Sequence, residues 1–163
     1  MQTLRRYHKG IGRKARARRG RIEELREVAL FSGCSDRQLW RIAALTTEHR
    51  IEAGRALTVA GEFGDELFVI IQGTATVSRD GLVLGAVGAG SFVGEISLLD
   101  GSGRTATVTA DTDMVLLALS RAEFHSAYFL IPPVMGRMLA EVGRRLRGAD
   151  EALGLSTWQG HKA

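Results

Sequence analysis

Eleven of the chain's 20 glycines fall between Gly54 and Gly103. A helix does not survive glycine at that density, so the stretch has to be built from short extended pieces. The apolar and β-branched runs fit this: Ala56–Val59, Leu67–Ile71, Thr74–Ser78, Leu82–Val87, Thr105–Thr109 and Met114–Leu119 are all of strand length. Arg79-Asp-Gly81 separates two of them and is a hairpin signal, because Asp-Gly tolerates positive φ. Many short strands with regular turns predict a small barrel, sandwich or roll.

Helical spacing flanks this region. A helical segment is expected from about Arg21 to Leu30. Ser35-Asp-Arg-Gln38 reads as a capping box opening a helix whose apolar face is Leu39, Ile42, Ala43 and Thr46. Ser120-Arg-Ala-Glu123 is a second box, and its helix should end before Pro132-Pro133. Another helix is expected over Pro133–Arg147, where Val134, Met138, Val142 and Leu146 recur every fourth residue beside Met135 and Leu139. The expected fold is mainly β with flanking α-helices: N-terminal helices, an antiparallel barrel, sandwich or roll, and C-terminal helices. The expected boundaries are a basic mobile tail over 1–22, a folded domain over 23–148 and a flexible tail over 149–163. Within the domain, helices span 23–48, the roll 51–119 and further helices 120–148.

Composition narrows the function classes. Residues 1–22 carry nine Lys/Arg and no acid, whereas the rest of the chain carries 13 basic and 18 acidic groups. Attraction to nucleic-acid phosphates or to an anionic membrane therefore belongs to the tail alone, and a merely solvated tail is equally open. Tyr7 is its one aromatic, so base stacking is not indicated. The longest aliphatic run, Met114–Leu119, is far too short to cross a bilayer, and no signal-peptide core stands near the N-terminus. The single cysteine, Cys34, has no internal partner and reads as a packed small hydrophobe in a cytoplasmic protein. His8, His49, His125 and His161 all lie outside 51–119, so neither a metal cage nor a cofactor is expected. No nucleophile elbow, P-loop or paired-cysteine motif argues for an enzyme.

The stretch Phe92-Val-Gly-Glu-Ile-Ser-Leu-Leu99, followed by Arg104-Thr-Ala106, sets an acid and a base nine residues apart around a Gly-Ser-Gly loop. Together with Gly61-Glu-Phe-Gly-Asp-Glu-Leu-Phe68 through Gly73, it resembles the cyclic nucleotide-binding domain shared by catabolite activator proteins, regulatory subunits of cAMP-dependent kinases and cyclic nucleotide-gated channels. The resemblance runs from roughly Leu30 to Arg147. It is to a stand-alone, bacterial-like member without a DNA-binding domain, since only about fifteen residues follow Gly148.

The residue chemistry suits such a ligand. Gly94 lets the backbone come close, and a short helix begun at Glu95 points free N–H groups at an anion. Arg104 offers a planar fork to two phosphate oxygens and also offsets the burial of Glu95. By resemblance, Glu95 holds the ribose hydroxyl, Arg104 holds the phosphate, and amides near Ile96, Ser97 and Ala106 assist. Thr105 could reach a phosphate oxygen or the 2-amino group of guanine. Val77 and Val87 match positions that form the apolar wall beside the base in the family, and Leu84 is expected to join them.

The resemblance implies an antiparallel, jelly-roll-like β-roll and a C-terminal lid helix that closes on binding. Arg145 is its candidate base-stacking residue, against the alternative of a solvated arginine near a helix C-terminus; Trp158 is a second candidate cap. The expected ligand is a cyclic nucleotide, cAMP favoured over cGMP. An unidentified downstream protein and a second copy of the chain are the expected partners. The competing readings are a ligand-free interaction module on the same roll, with Glu95 and Arg104 as a structural ion pair, and an adaptor acting through the tail.

Overall fold

The computed structural model describes residues 14–152. In chain order it contains α1 (Lys14–Glu27), a 3-10 turn (Ala29–Phe31), α2 (Asp36–Leu45), β1 (Thr47–Ile51), β2 (Ala56–Thr58), β3 (Glu66–Gln72), β4 (Thr74–Arg79) and β5 (Leu82–Gly88). There follow β6 (Phe92–Val93), α3 (Glu95–Asp100), β7 (Thr107–Ala110), β8 (Met114–Ser120), α4 (Arg121–Leu130) and α5 (Pro132–Ala152). The strands form two antiparallel four-stranded sheets, ordered β1-β8-β3-β6 and β2-β7-β4-β5. This is the β-roll with helices at both ends that the resemblance implies, one of the forms the glycine-punctuated runs leave open.

The apolar runs without polar alternation, Leu67–Ile70 and Leu116–Leu119, are buried on both faces. Phe68, Ile70, Leu116 and Ala118 point between the sheets and meet Leu57, Ala75, Val93 and Val108. Leu67, Val69, Leu117 and Leu119 point the other way, into the helical layer with Leu39, Ile42, Phe124, Ile131 and Met138. Period-two alternation thus feeds two separate apolar clusters from the same two strands.

Local chemistry sets the element ends. Asp80 at φ 50° and Gly81 at φ 79° make the hairpin turn that pairs Arg79 with Leu82. Both capping boxes form. Gln38 N–H donates to Ser35 Oγ at 3.4 Å while Ser35 N–H donates to Gln38 Oε1 at 2.8 Å. Ser120 N–H donates to Glu123 Oε2 at 2.7 Å and Glu123 N–H to Ser120 Oγ at 3.3 Å. Gly73, at φ 93°, starts the turn into β4, and a Cβ there would stand 2.6 Å from the carbonyl oxygen of Asp113. Gly73→Ala is therefore expected to cost about 2–3 kcal/mol, from the left-handed backbone and the contact together. The check is a lower urea midpoint at unchanged slope.

Several expected boundaries move. Six strands were expected and eight form. The additions are β1, whose Thr-Glu-His-Arg-Ile has no apolar alternation and is held by its ladder to β8, and the two-residue β6. His49 consequently stands on a strand. Thr105 and Ala106 precede β7 rather than open it, because the adjoining backbone at Arg104 bonds to Gly61 and Glu62 instead of to a strand, at 2.8 Å each. Thr46, expected on the apolar face of α2, is its C-cap.

The helices run further than expected too. The basic stretch was expected to be mobile as far as residue 22, but α1 begins at Lys14, Arg, Lys and Ala being strong helix formers. Ile22 and Leu25 are buried, and Arg21 reaches the Thr46 carbonyl at 3.3 Å and Glu48 at 3.5 Å. Likewise α5 continues to Ala152, past the expected end at Arg147. The rest of the basic tail and residues 153–163, with Trp158, lie outside the described residues.

Candidate functional site

The site is built where β6 turns into α3. Gly94 takes the left-handed conformation at φ 92° and caps a helix of six residues that has no side-chain N-cap. The opposite end of this short helix is anchored by Arg121 of α4, which donates to the carbonyls of Ser97 at 2.6 Å and Leu98 at 2.9 Å. The Ser97 carbonyl also accepts from Gly101 N–H at 3.0 Å, so Arg121 adds a second donor at the helix end. Beyond it, Asp100 accepts from Ser102 N–H at 2.8 Å and Ser102 Oγ at 2.6 Å, closing the Gly-Ser-Gly loop. Those two bonds hold the Asp100 carboxyl below its ordinary range.

Arg104 lies beneath the start of α3. Although charged, it is only 8% exposed. Nη2 donates to the Glu66 carbonyl at 2.8 Å and Nη1 to the Gly94 carbonyl at 3.2 Å, and the guanidinium sits 5.7 Å from the centre of the Phe68 ring. Two glycines make its slot. A Cβ on Gly64 would collide with Nε, Cζ and Nη2 of Arg104, and one on Gly94 would collide with Nη1 and stand 2.7 Å from the Glu66 carbonyl. Burial lowers the Arg104 pKa from its ordinary value, while the charges of Glu66, Asp65 and Glu95 pull the other way. No carboxylate forms an ion pair with Arg104 among the described residues. An arginine buried this way has its N–H groups met by carbonyls rather than by a paired carboxylate, so an anion placed beside it is attracted.

Glu95, at 4% exposed, is the first residue of α3. Arg104 was expected to offset its burial, but the two form no hydrogen bond or ion pair. The partner of Glu95 is Arg145 of α5, whose Nη1 donates to Oε1 at 2.8 Å. The two expected charges thus flank one cradle without pairing, because Arg104 is turned into the glycine slot. Arg145 also donates to the Phe92 carbonyl at 2.9 Å, lies 4.9 Å from the Phe92 ring centre and reaches Glu141 at 3.2 Å. It is a third member of the cradle rather than a solvated end-of-helix arginine.

The remaining sequence candidates divide. Ser97 is buried, and Ile96 is on the exposed side of α3. Ala106 is half-buried, its carbonyl accepting from Thr58 Oγ1 at 3.0 Å, and Thr105 is exposed, its carbonyl accepting from Arg79 Nε at 2.6 Å. Val77 and Val87 pack together against the inter-sheet cluster. Leu84 stands apart at 58% exposed, beside the irregularity that shifts the β4–β5 register. Gly64, Glu66, Phe68 and Arg121 were not singled out for a role. The motif containing the first three was visible, but their task is to shape and hold Arg104 from 36 to 40 residues away, and only the fold reveals that.

Comparison with known proteins bears on this arrangement. The family profile of the cyclic nucleotide-binding domain matches residues 48–129. A cGMP-dependent protein kinase of Caenorhabditis elegans is 34% identical over 122 residues, covering 75% of this chain and 15% of the kinase. A cyclic AMP receptor protein of Thermus thermophilus is 29% identical over 135 residues, 80% of this chain and 62% of the receptor. Among solved structures, cAMP-bound PfPKA-R superposes with a TM-score of 0.76 at 25% identity, over 88% of this chain and 49% of that one. The chain thus spans only part of the length of these relatives. No helix among the described residues is long and apolar enough to cross a membrane. Domains of this kind are regulatory rather than catalytic. With the matched profile covering half its length, the chain belongs to the cyclic nucleotide-binding domain family.

Proposed function

We propose that the chain is a ligand-responsive sensor that binds a cyclic nucleotide, cAMP in preference to cGMP, at the start of α3, and that α5 moves when it does. The observation that carries the reading is the buried guanidinium of Arg104, satisfied by two carbonyls and facing the turn in which α3 begins. A cyclic phosphate is a monoanion with two exposed oxygens, which suits a planar fork and adjacent backbone N–H groups. A ribose 2′-hydroxyl suits the Glu95 carboxylate, a buried acceptor. Val77 and Val87 offer the base an apolar wall, which suits adenine. The polar edge of guanine would have to rely on Thr105. A ligand-free module would keep Arg104 buried with no carboxylate paired to it among the described residues, a costly arrangement without a binding role. Calorimetric titration with cAMP and with cGMP tests the reading: no heat from either with a folded protein would sink it, and tighter cGMP would reverse the base preference.

The movement of α5 rests on Arg145. The ribose hydroxyl and Arg145 compete for one carboxylate, so occupancy loosens the tether between α5 and the cradle. A ligand shifts the helix only by its differential affinity for the two positions. The Arg145–Glu95 pair is partly exposed, its members 34% and 5% accessible, which puts its contribution near 1 kcal/mol. Arg145→Ala is therefore expected to tighten nucleotide binding about 3- to 10-fold by removing the competitor. Weaker binding would instead mean that Arg145 acts as a lid over the base.

Output then runs through α5. Leu139 and Leu146 are exposed on it, one heptad apart, so its apolar stripe is not consumed by packing on the roll and is available to a downstream protein or a second copy. No observation among the described residues favours an adaptor role for the basic tail.

A further inference from the structure

A second guanidinium is housed much as Arg104 is. Arg137, on α5, lies with Nη2 at 3.0 Å from where a Cβ on Gly33 would stand, and Gly33 is held at φ 76° in the turn after the 3-10 helix. A glycine again leaves a side chain's space to an arginine. Nη1 of Arg137 is fully buried and has no hydrogen-bond partner among the described residues. Leaving such a charged donor unsatisfied is costly, and native structures rarely do so without a reason. Glu141, one turn along α5, does not supply the partner: its carboxylate accepts from Arg144 and Arg145.

Arg137 lines a cavity of about 340 Å³ between the 3-10 turn, the chain entering β6 and α5. Gly90, Ser91, Glu141, Arg144 and Arg145 also line it. The volume lies within the range of small-molecule sites, about 300–1,000 Å³. Three guanidinium groups face one carboxylate around it, so the cavity is cationic. The nucleotide cradle is a different place: Arg104, Gly64, Phe68 and the loop after α3 take no part in this cavity, and the two share Arg145 with its neighbours Phe92 and Glu141.

We propose that this cavity is a second binding site, for a small molecule carrying a phosphate dianion. A monocarboxylate would need one guanidinium. Arg137, and Arg144 on turning from Glu141, would present two forks to the several oxygens and double charge of a terminal phosphate. The site is independent of the cyclic-nucleotide reading.

Titration of the whole chain with pyrophosphate and with 5′-AMP tests it, in an Arg104→Ala background so that the cradle's own charge is removed. Saturable one-to-one binding should persist in that background. The tighter of the two probes tells free from esterified phosphate. Arg137→Gln should weaken binding at least tenfold and the exposed Arg144→Gln severalfold, the second variant guarding against misfolding of the first. The proposal is overturned if neither probe saturates, if Arg104→Ala alone abolishes binding, which would put the anion in the cradle, or if the Arg137 and Arg144 variants bind as the parent does.

Discussion

Arg104→Ala is expected to lower cyclic-nucleotide affinity by about 2–5 kcal/mol, roughly 30- to 5,000-fold. The guanidinium is the charge best placed to meet a phosphate at the start of α3, and it is already desolvated at 8% exposure. The ligand therefore meets a preorganised fork and does not have to strip it of water. Without it, the phosphate would be buried against backbone N–H groups alone. Stability should change far less than affinity. The substitution removes two hydrogen bonds, to the Glu66 and Gly94 carbonyls, but also a buried charge that no carboxylate neutralises. Calorimetry alongside urea denaturation separates the two effects. Affinity within threefold of the parent protein would rule the cradle out as the phosphate site.

Gly64→Ala should come close to the same loss of affinity without altering any residue assigned to the ligand. The added methyl would occupy the position of the Arg104 guanidinium, overlapping Nε, Cζ and Nη2. Gly64 does not have the left-handed backbone of Gly94 or Gly73, so alanine is tolerated by the chain itself. Arg104 has to leave its slot, abandon the Glu66 carbonyl and expose or misdirect its fork. A loss of about 10²-fold in affinity with a fold-stability change near 1 kcal/mol is the expected pattern. An unchanged affinity would mean that Arg104 binds equally well from another rotamer, and that the slot does not matter.

These two residues show how far the sequence could be read. Arg104 and Glu95 were legible because their spacing around a glycine-rich loop is local, and so were the hairpin at Asp80-Gly81 and the capping serines Ser35 and Ser120. The partner of Glu95 was not. Arg145 is 50 residues away, and nothing in its Arg-Arg-Leu-Arg context distinguishes it from Arg144, which faces Glu141. The slot for Arg104 was equally hidden, since Gly64 reads as one more turn glycine until β3 is paired with β6 and β8. β1 escaped because ladder hydrogen bonds, not side-chain burial, hold a strand with only Ile51 buried. Helix α1 was begun too late because the basic run shows little apolar periodicity, although its residue types favour helix and Arg21 is fixed to Glu48.

The alternation along β3 and β8 has a dynamic consequence. Each strand sends every second side chain into the helical layer and the others between the sheets, so these strands belong to both apolar clusters. The helical layer can loosen while the sandwich keeps its own interior, but the sandwich cannot open without releasing the helices. Backbone amides of β3 and β8 should then exchange with deuterated solvent only through global unfolding, and those of α1 and α5 through a cheaper, partial opening. A chain with this hierarchy can spend its least stable cooperative unit on signalling and leave the ligand's platform standing.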